Sequence, residues 1–67
     1  APGDYDAYAA QVREEYAAVP EDAWRTGRAS VLQHFLDAPV IYADPDLRAR
    51  LELRARSNLA RELASLS

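Results

Sequence analysis

The sequence predicts an all-α fold of three helices, arranged in a small bundle or an open helical array that is part of a larger helical protein. Three stretches carry apolar residues at spacings of three and four, the period of a helix that buries one side. Proline separates these stretches at Pro20 and Pro39, and the Asp-Pro-Asp sequence at 44–46 is typical of a helix start. No linker is long enough to divide the chain, so we interpret residues 1–67 as one helical segment.

The first predicted helix covers about residues 4–18. Asp4 is suited to the N-cap, where a carboxylate accepts hydrogen bonds from unpaired backbone N–H groups. The helix should end before Pro20, because proline lacks an N–H donor and disfavours a helical residue before it. Apolar residues recur along one side of this helix at Tyr5, Tyr8, Ala9, Val12, Tyr16 and Val19. We expect Tyr5, Tyr8 and Tyr16 to form an aromatic cluster with Trp24.

The second predicted helix covers about residues 21–37. Glu21 and Asp22 place negative charge at its start, which suits the positive end of a helix dipole, and Glu21 is spaced to pair with Arg25. Gly27 costs about 1 kcal/mol relative to alanine inside a helix, so we expect another backbone to approach closely there. The helix has one broad apolar face, formed by Trp24, Val31, Leu32, Phe35 and Leu36.

A short connector and a third helix complete the chain. Ala38-Pro39 ends the second helix, and residues 40–42 are too few for a strand, so we predict an extended connector packed on the bundle. Asp44-Pro45-Asp46 combines a capping carboxylate, proline at the first helical position and an acid in the first turn. The third helix should therefore run from about 45 to 66. Its apolar stripe advances in steps of four and suits packing across two neighbours: Leu47, Leu51, Ala55, Leu59, Leu63 and Leu66.

Two further expectations concern the third helix. Arg48, Glu52 and Arg56 have the i, i+4 spacing of a ladder of ion pairs along its flank. We place Leu51 and Leu59 in the main buried seam, so that Leu59→Ala should cost about 2 to 5 kcal/mol of stability.

Composition argues against two classes of partner. Eight arginines and no lysine stand against 11 acids, for a net charge of −3, whereas a surface that binds nucleic acid is strongly basic. The connector between the second and third helices is also longer than a helix-turn-helix normally uses. No apolar run approaches the roughly 18 residues needed to cross a membrane. We therefore expect no nucleic-acid or membrane partner, and the absence of cysteine is consistent with a cytoplasmic location.

The size of the chain indicates that it needs a partner. A domain of 67 residues buries a small core and is only marginally stable alone. The sequence contains no methionine, so it either begins after a cleavage or is a fragment of a longer chain, and we expect the fragment. Its partner is then the rest of that parent chain, or another copy of the protein in a homo-oligomer.

Few residues have the pattern of a catalytic or metal site. His34 is the only histidine, and Gln33 and Phe35 beside it supply no further ligands, whereas a metal site needs several converging ones. We expect no metal site and no cofactor in this chain. The serines lack the glycine-flanked turn of a nucleophilic serine. We therefore expect no catalytic residues and no enzymatic activity of the chain alone.

Paired acids and three arginines are the remaining polar candidates. Three of the four acid pairs lie at predicted helix starts, where capping explains them, and the mid-helix pair Glu14-Glu15 favours a salt bridge to an arginine. Arginine can bind a phosphate through two hydrogen bonds, which makes Arg13 and Arg28 candidates for a phosphate contact, with Arg56 as a third. Each arginine could instead pair with a glutamate, at position 15, 52 or 62.

The order and spacing of these residues resemble the C-terminal stretch of one enzyme family, over about residues 5–66. The family comprises the predicted metal-dependent phosphohydrolases of the HD (His-Asp) superfamily. The residues that carry the resemblance are Tyr8, Val12-Arg13, Glu15-Tyr16, Gly27-Arg28, Val31-Leu32, Phe35-Leu36, Ile41-Tyr42, Glu52, Ala55-Arg56, Asn58-Leu59 and Glu62-Leu63.

The resemblance implies an all-helical parent enzyme in which histidines and aspartates bind a divalent metal that activates water against a phosphate ester. This chain lacks that ligand set, since His34 is followed by Phe35 and no His-Asp pair occurs. We therefore predict a C-terminal packing segment that is inactive alone. The alternative is a standalone helical interaction or dimerisation module. Under either hypothesis the packing residues are Tyr8, Val12, Tyr16, Trp24, Val31, Phe35, Leu51, Leu59 and Leu63.

Overall fold

The structure, a computed structural model, describes residues 2–67, with side chains from residue 3 onward. Within this range the chain forms three α-helices and no strand: α1 (Pro2–Glu15), α2 (Glu21–Asp37) and α3 (Pro45–Ser65). The predicted all-α fold is confirmed. α3 packs along α2 and more lightly against α1, so it contacts two neighbours as its leucine stripe predicts. None of the helices in residues 2–67 is both long enough and apolar enough to cross a membrane.

The starts of α1 and α3 differ in how well the sequence predicted them. At α3 the Asp44 carboxylate accepts hydrogen bonds from the backbone N–H groups of Asp46 and Leu47, at 2.8 and 3.2 Å, and Pro45 occupies the first position as predicted. At α1 the prediction of Asp4 as N-cap is wrong. The helix already begins at Pro2, whose fixed φ suits a first helical position, and Asp4 lies within the first turn.

The end of α1 comes earlier than predicted, at Glu15 instead of residue 18. Residues 16–18 form a turn in which Tyr16 N–H and Ala17 N–H each donate to a carbonyl three residues back. The Arg13 guanidinium donates to the carbonyls of Tyr16 and Val19, at 2.8 and 3.2 Å. Because the Arg13 side chain donates hydrogen bonds to carbonyls that follow the helix, α1 ends about one turn before Pro20.

The connector between α2 and α3 is held by two side chains of α3. Glu52 accepts hydrogen bonds from the backbone N–H groups of Ile41 and Tyr42, at 3.0 to 3.2 Å. Arg56 donates to Glu52 and to the carbonyls of Leu36, Ala38 and Pro39. The connector is therefore packed on the bundle, as predicted, but it bends at residues 38, 39, 41, 43 and 44, so the predicted extended course is wrong. The predicted ladder forms only in part, because Arg48 binds the carbonyls of residues 42 and 43 instead of Glu52.

The core of the described residues centres on Leu32, which is 1% exposed and is the only fully buried side chain among them. Leu51 and Leu59 are half-buried, so the prediction that they form the main buried seam is wrong. The reason is geometric: α3 covers one side of α2 only. Leu32, Leu51 and Leu59 all border the same open hollow, and only Leu32 among them is covered almost completely.

Candidate functional site

An open apolar groove runs along α2 between α1 and α3. It consists of two hollows that meet at Arg28 and Val31. The first hollow is lined by Tyr5, Tyr8, Arg28, Val31, Leu32, Phe35, Ile41, Tyr42, Leu51, Arg54, Ala55, Asn58 and Leu59. The second is lined by Val12, Tyr16, Val19, Ala23, Trp24, Gly27, Arg28 and Val31. We call these two hollows together the apolar groove.

The groove exists because the apolar face of α2 is wider than one neighbouring helix can cover. Successive residues of a helix are about 100° apart around its axis, so Leu32 and Leu36 lie on one half of the broad apolar face of α2 and Val31 and Phe35 lie on the other. Val31 and Phe35 are each 46% exposed. Across the groove, Tyr8 of α1 and Tyr16 of the turn that follows α1 are 51% and 54% exposed. Large apolar side chains therefore line the floor and one wall of a surface that is open to solvent among the described residues.

Gly27 lies in the floor of the groove. A Cβ placed there meets no atom within 4 Å, so the expected close approach of another backbone is wrong for the described residues. Its φ is not positive, so no unusual backbone conformation requires glycine either. The missing side chain instead leaves a small depression between Trp24 and Val31.

The predicted cluster of four aromatic rings is two separate pairs. Tyr5 and Tyr8 are 5.6 Å apart between ring centroids, and Tyr16 and Trp24 are 5.8 Å apart. The first pair borders the first hollow and the second pair borders the second hollow. The cluster divides because Tyr5 and Tyr8 precede Tyr16 by about three and about two helical turns. One aromatic pair is thus available at each end of the groove.

One carboxylate joins all three helices beneath the groove. Glu62 of α3 accepts two hydrogen bonds from the Arg28 guanidinium of α2, at 2.6 and 2.9 Å. It also accepts a hydrogen bond of 2.5 Å from the Tyr5 hydroxyl of α1. The side chains of Arg28 and Glu62 are only 11% and 9% exposed. This network fixes the relative positions of the helices and so preforms the groove.

The ionisation of these groups follows from their contacts. Burial raises the pKa of Glu62, but hydrogen bonds from Arg28 and Tyr5 outweigh it and hold the pKa below its usual value. Burial and the hydrogen bond to Glu62 both raise the pKa of the Tyr5 hydroxyl. The hydrogen bonds to Glu62 raise the pKa of Arg28. The network therefore consists of a charged pair and a neutral phenol across the whole neutral range.

The two arginines considered for phosphate binding already have protein partners. Arg28 is paired with Glu62, one of the glutamates considered for it. Arg13 binds two carbonyls, lies 5.0 Å from the centre of the Trp24 ring and contacts Glu21 at 3.4 Å, which is none of the glutamates considered as its partner. A phosphate at either arginine would have to displace or share these partners.

Two arginines of α3 have no such partner. Among residues 3–67, no carboxylate lies within ion-pair distance of Arg50 or Arg54, and both are exposed. Arg54 lines the first hollow of the groove, and Arg50 does not line either hollow.

The mid-helix acids Glu14 and Glu15 are also exposed and have no ion pair within the described part of the chain, so the salt bridge expected there is wrong.

The described residues do not fit the divalent metal that the resemblance implies for a parent enzyme. No group of three or more histidine, cysteine or acidic side chains in residues 3–67 is placed to hold a metal. His34 is exposed on α2, and its ring lies edge-to-face with the Phe35 ring, with 5.9 Å between the ring centroids. No catalytic step is derived through a metal in this chain.

The residues predicted for packing divide between the groove and the helix interfaces. Eight of the nine line the groove: Tyr8, Val12, Tyr16, Trp24, Val31, Phe35, Leu51 and Leu59. Leu63 lies outside it and is half-buried on α3. Sequence reasoning missed Tyr5 as a partner of Glu62, and it missed Arg54 at the rim. Residue spacing carried no signal for the first, because 57 residues separate the two side chains.

Comparisons with models of known protein families, with curated proteins and with solved structures gave no significant match. The apolar groove and the network beneath it are therefore interpreted from their own chemistry.

Proposed function

We propose that this chain is the C-terminal helical packing segment of a metal-dependent phosphohydrolase of the HD superfamily. It docks through the apolar groove on the catalytic part of the parent protein, carries no activity alone and acts in the cytoplasm. The residues that would hold the metal belong to the catalytic part, where a bound divalent metal would supply the activation of water for hydrolysis of a phosphate ester.

The observation that carries the proposal is the imbalance between buried and exposed apolar side chains. Leu32 is the only fully buried one in residues 3–67, whereas Tyr8, Tyr16, Val31 and Phe35 are about half exposed on a single groove. Contiguous apolar surface of this kind marks an interaction site. A segment that packs on a larger protein would bury it.

The polar contacts support a packing role for the positions that carry the family resemblance. Arg28, Glu52, Arg56 and Glu62 are four of those positions, and each holds helices or the connector in place. Val31 and Phe35 are two more, and they line the groove. The resemblance therefore falls on residues that either fix the three helices or face outward from them, which is the division expected of a docked segment.

The alternative is a standalone helical module that dimerises through the same groove. It explains the exposed apolar residues equally well but leaves the resemblance over residues 5–66 without a reason. In that case two identical copies would cover each other, and the product of the gene would be this chain alone.

The test is the intact mass of the protein expressed from its own gene, together with the reading frame upstream of Ala1. We expect a mass well above 7.5 kDa, an upstream region with histidines, a His-Asp pair and a further aspartate, and metal-dependent phosphatase activity of the whole protein. A product of 7.5 kDa that sediments as a dimer would contradict the proposal and establish the interaction module. A longer product without that ligand set would also contradict it.

A further inference from the structure

We propose that the apolar groove receives an amphipathic helix that places a carboxylate against Arg54. This inference rests on the proposed function for the source of the helix, which is the catalytic part of the parent polypeptide. It adds what kind of segment docks there, in which direction its apolar side faces and which charge it carries.

The floor of the groove has the spacing of a helix-packing stripe. Trp24, Gly27, Val31 and Phe35 follow one another at steps of three and four along one side of α2. The stripe is about 16 Å long, because a helix rises about 1.5 Å per residue. A partner helix of about three turns matches that length, and anchors at such steps are typical of a helix bound in a groove. The depression at Gly27 leaves room for one of its side chains.

An extended segment fits this surface less well. Extended partners that add a strand need an exposed sheet edge, where main-chain hydrogen bonds supply much of the affinity. The described residues contain no strand. The groove is instead lined by side chains whose apolar parts are exposed, with Tyr8 and Tyr16 on one wall and Phe35 on the floor. They offer packing to an apolar stripe and few main-chain partners.

The charge at the rim defines the polar side of the partner. Arg28, which lies between the two hollows, is neutralised by Glu62 beneath it. Arg54 is the arginine of the groove without a carboxylate partner among residues 3–67. Docking of an apolar surface beside it would remove water from an unpaired positive charge, which is costly unless the partner brings a negative one. An aspartate or glutamate flanking the apolar stripe of the partner meets that requirement.

The position of the partner can be tested by photo-crosslinking in the protein expressed from its own gene. A benzophenone amino acid at position 35 should crosslink to a helical segment outside residues 1–67 of the same polypeptide. The same probe at position 53 is the matched control, since Leu53 is 86% exposed and lies outside the groove. A crosslink from position 35 to residues 1–67 of a second copy, or no crosslink above that of position 53, would overturn the inference.

The charge can be tested with a second pair of variants. Arg54→Glu should lower the crosslink yield from position 35 severalfold, because it places like charges together, and Arg50→Glu should leave the yield unchanged. Reversal of the partner's carboxylate, found next to the crosslinked peptide, should restore the yield in Arg54→Glu. Equal yields in the two variants would refute the carboxylate contact.

A crosslink to an upstream helix in a protein without the His and Asp ligands would sustain this inference while the proposed phosphohydrolase function fails.

Discussion

The Arg28 guanidinium holds the Glu62 carboxylate through two hydrogen bonds, from Nε at 2.6 Å and from Nη2 at 2.9 Å. The two residues are 34 positions apart, and their contact joins α2 to α3 in the part of the chain that has little apolar core. Since the Tyr5 hydroxyl also donates to Glu62, one acidic side chain organises all three helices. Hydrogen bonds and ion pairing therefore supply part of the stabilisation that apolar burial supplies in larger domains.

Arg28→Ala should destabilise the chain by about 2 to 4 kcal/mol, because it leaves the largely buried Glu62 carboxylate without its charged partner. Arg28→Lys should fall between this variant and the original protein, since lysine keeps the charge but not the two-pronged geometry. Urea unfolding followed by circular dichroism measures both. Arg50→Ala is the control and should change stability by less than about 0.5 kcal/mol. A loss of that small size in Arg28→Ala would show that the pair is not structural.

Stability should fall in acid through Glu62. Hydrogen bonds from Arg28 and Tyr5 hold the pKa of Glu62 in the folded chain below its usual value. The stability that Glu62 contributes is therefore complete above the pKa of the unfolded chain and is lost as the pH falls through the folded pKa. Melting temperatures between pH 7 and pH 3 test this. Glu62→Gln should lower the melting temperature at neutral pH and flatten its decline below about pH 4.5. An unchanged acid slope in Glu62→Gln would assign the decline to other carboxylates, such as Glu21, whose pKa is also lowered by its hydrogen bond from Arg25.

Leu32→Ala should cost about 2 to 5 kcal/mol, because it removes the one fully buried side chain of the described residues. Leu59→Ala should cost less, about 1 to 2 kcal/mol, since Leu59 is only half-buried at the edge of the groove. Leu53→Ala, on a side chain that is 86% exposed, is the control. Chemical unfolding ranks the three variants. If Leu59→Ala proved as costly as Leu32→Ala, the groove edge would be buried in solution.

Gly27→Ala should stabilise the isolated chain by about 1 kcal/mol, because alanine is the better helix former and its methyl group meets open space. In the whole protein the gain should shrink or reverse, since the docked helix would occupy the depression at Gly27. Thermal melts of both forms make the comparison. An equal gain in the two forms would mean that no partner lies over Gly27.

Asp44→Ala should destabilise the chain by about 1 kcal/mol, because the Asp44 carboxylate caps two backbone N–H groups at the start of α3. Asp44→Asn keeps an acceptor at that position and should be nearly neutral. Helical circular dichroism during thermal unfolding provides the measurement. Equal losses in both variants would point to the charge and not to the cap.

Local features of the sequence predicted the helices well, and contacts between helices much less well. Asp44-Pro45 specifies the start of α3 within three residues, so the pattern sufficed there. The pairing of Tyr5 with Glu62 depends on how α1 meets α3, which no local spacing encodes. Leu59 was placed in the core because a leucine stripe indicates a buried side, but it does not say how many neighbours cover that side. The position of Arg54 beside the apolar residues of the groove depends on the packing of the helices, which the sequence alone does not show.

The contacts of Arg56 also determine the order in which the chain opens. The Arg56 side chain donates to three carbonyls at the end of α2 and in the connector that follows it. The side-chain contacts of α1 are fewer: Tyr5 donates to Glu62, Asp6 accepts from Arg61 at 2.7 Å, and Arg13 contacts Glu21. We therefore expect the helical hairpin of α2 and α3 to unfold last, and α1 to undock from it at a smaller free energy. Amide hydrogens of α1 should exchange with solvent ahead of those around Leu32, and a partner that covers the groove would slow both sets together.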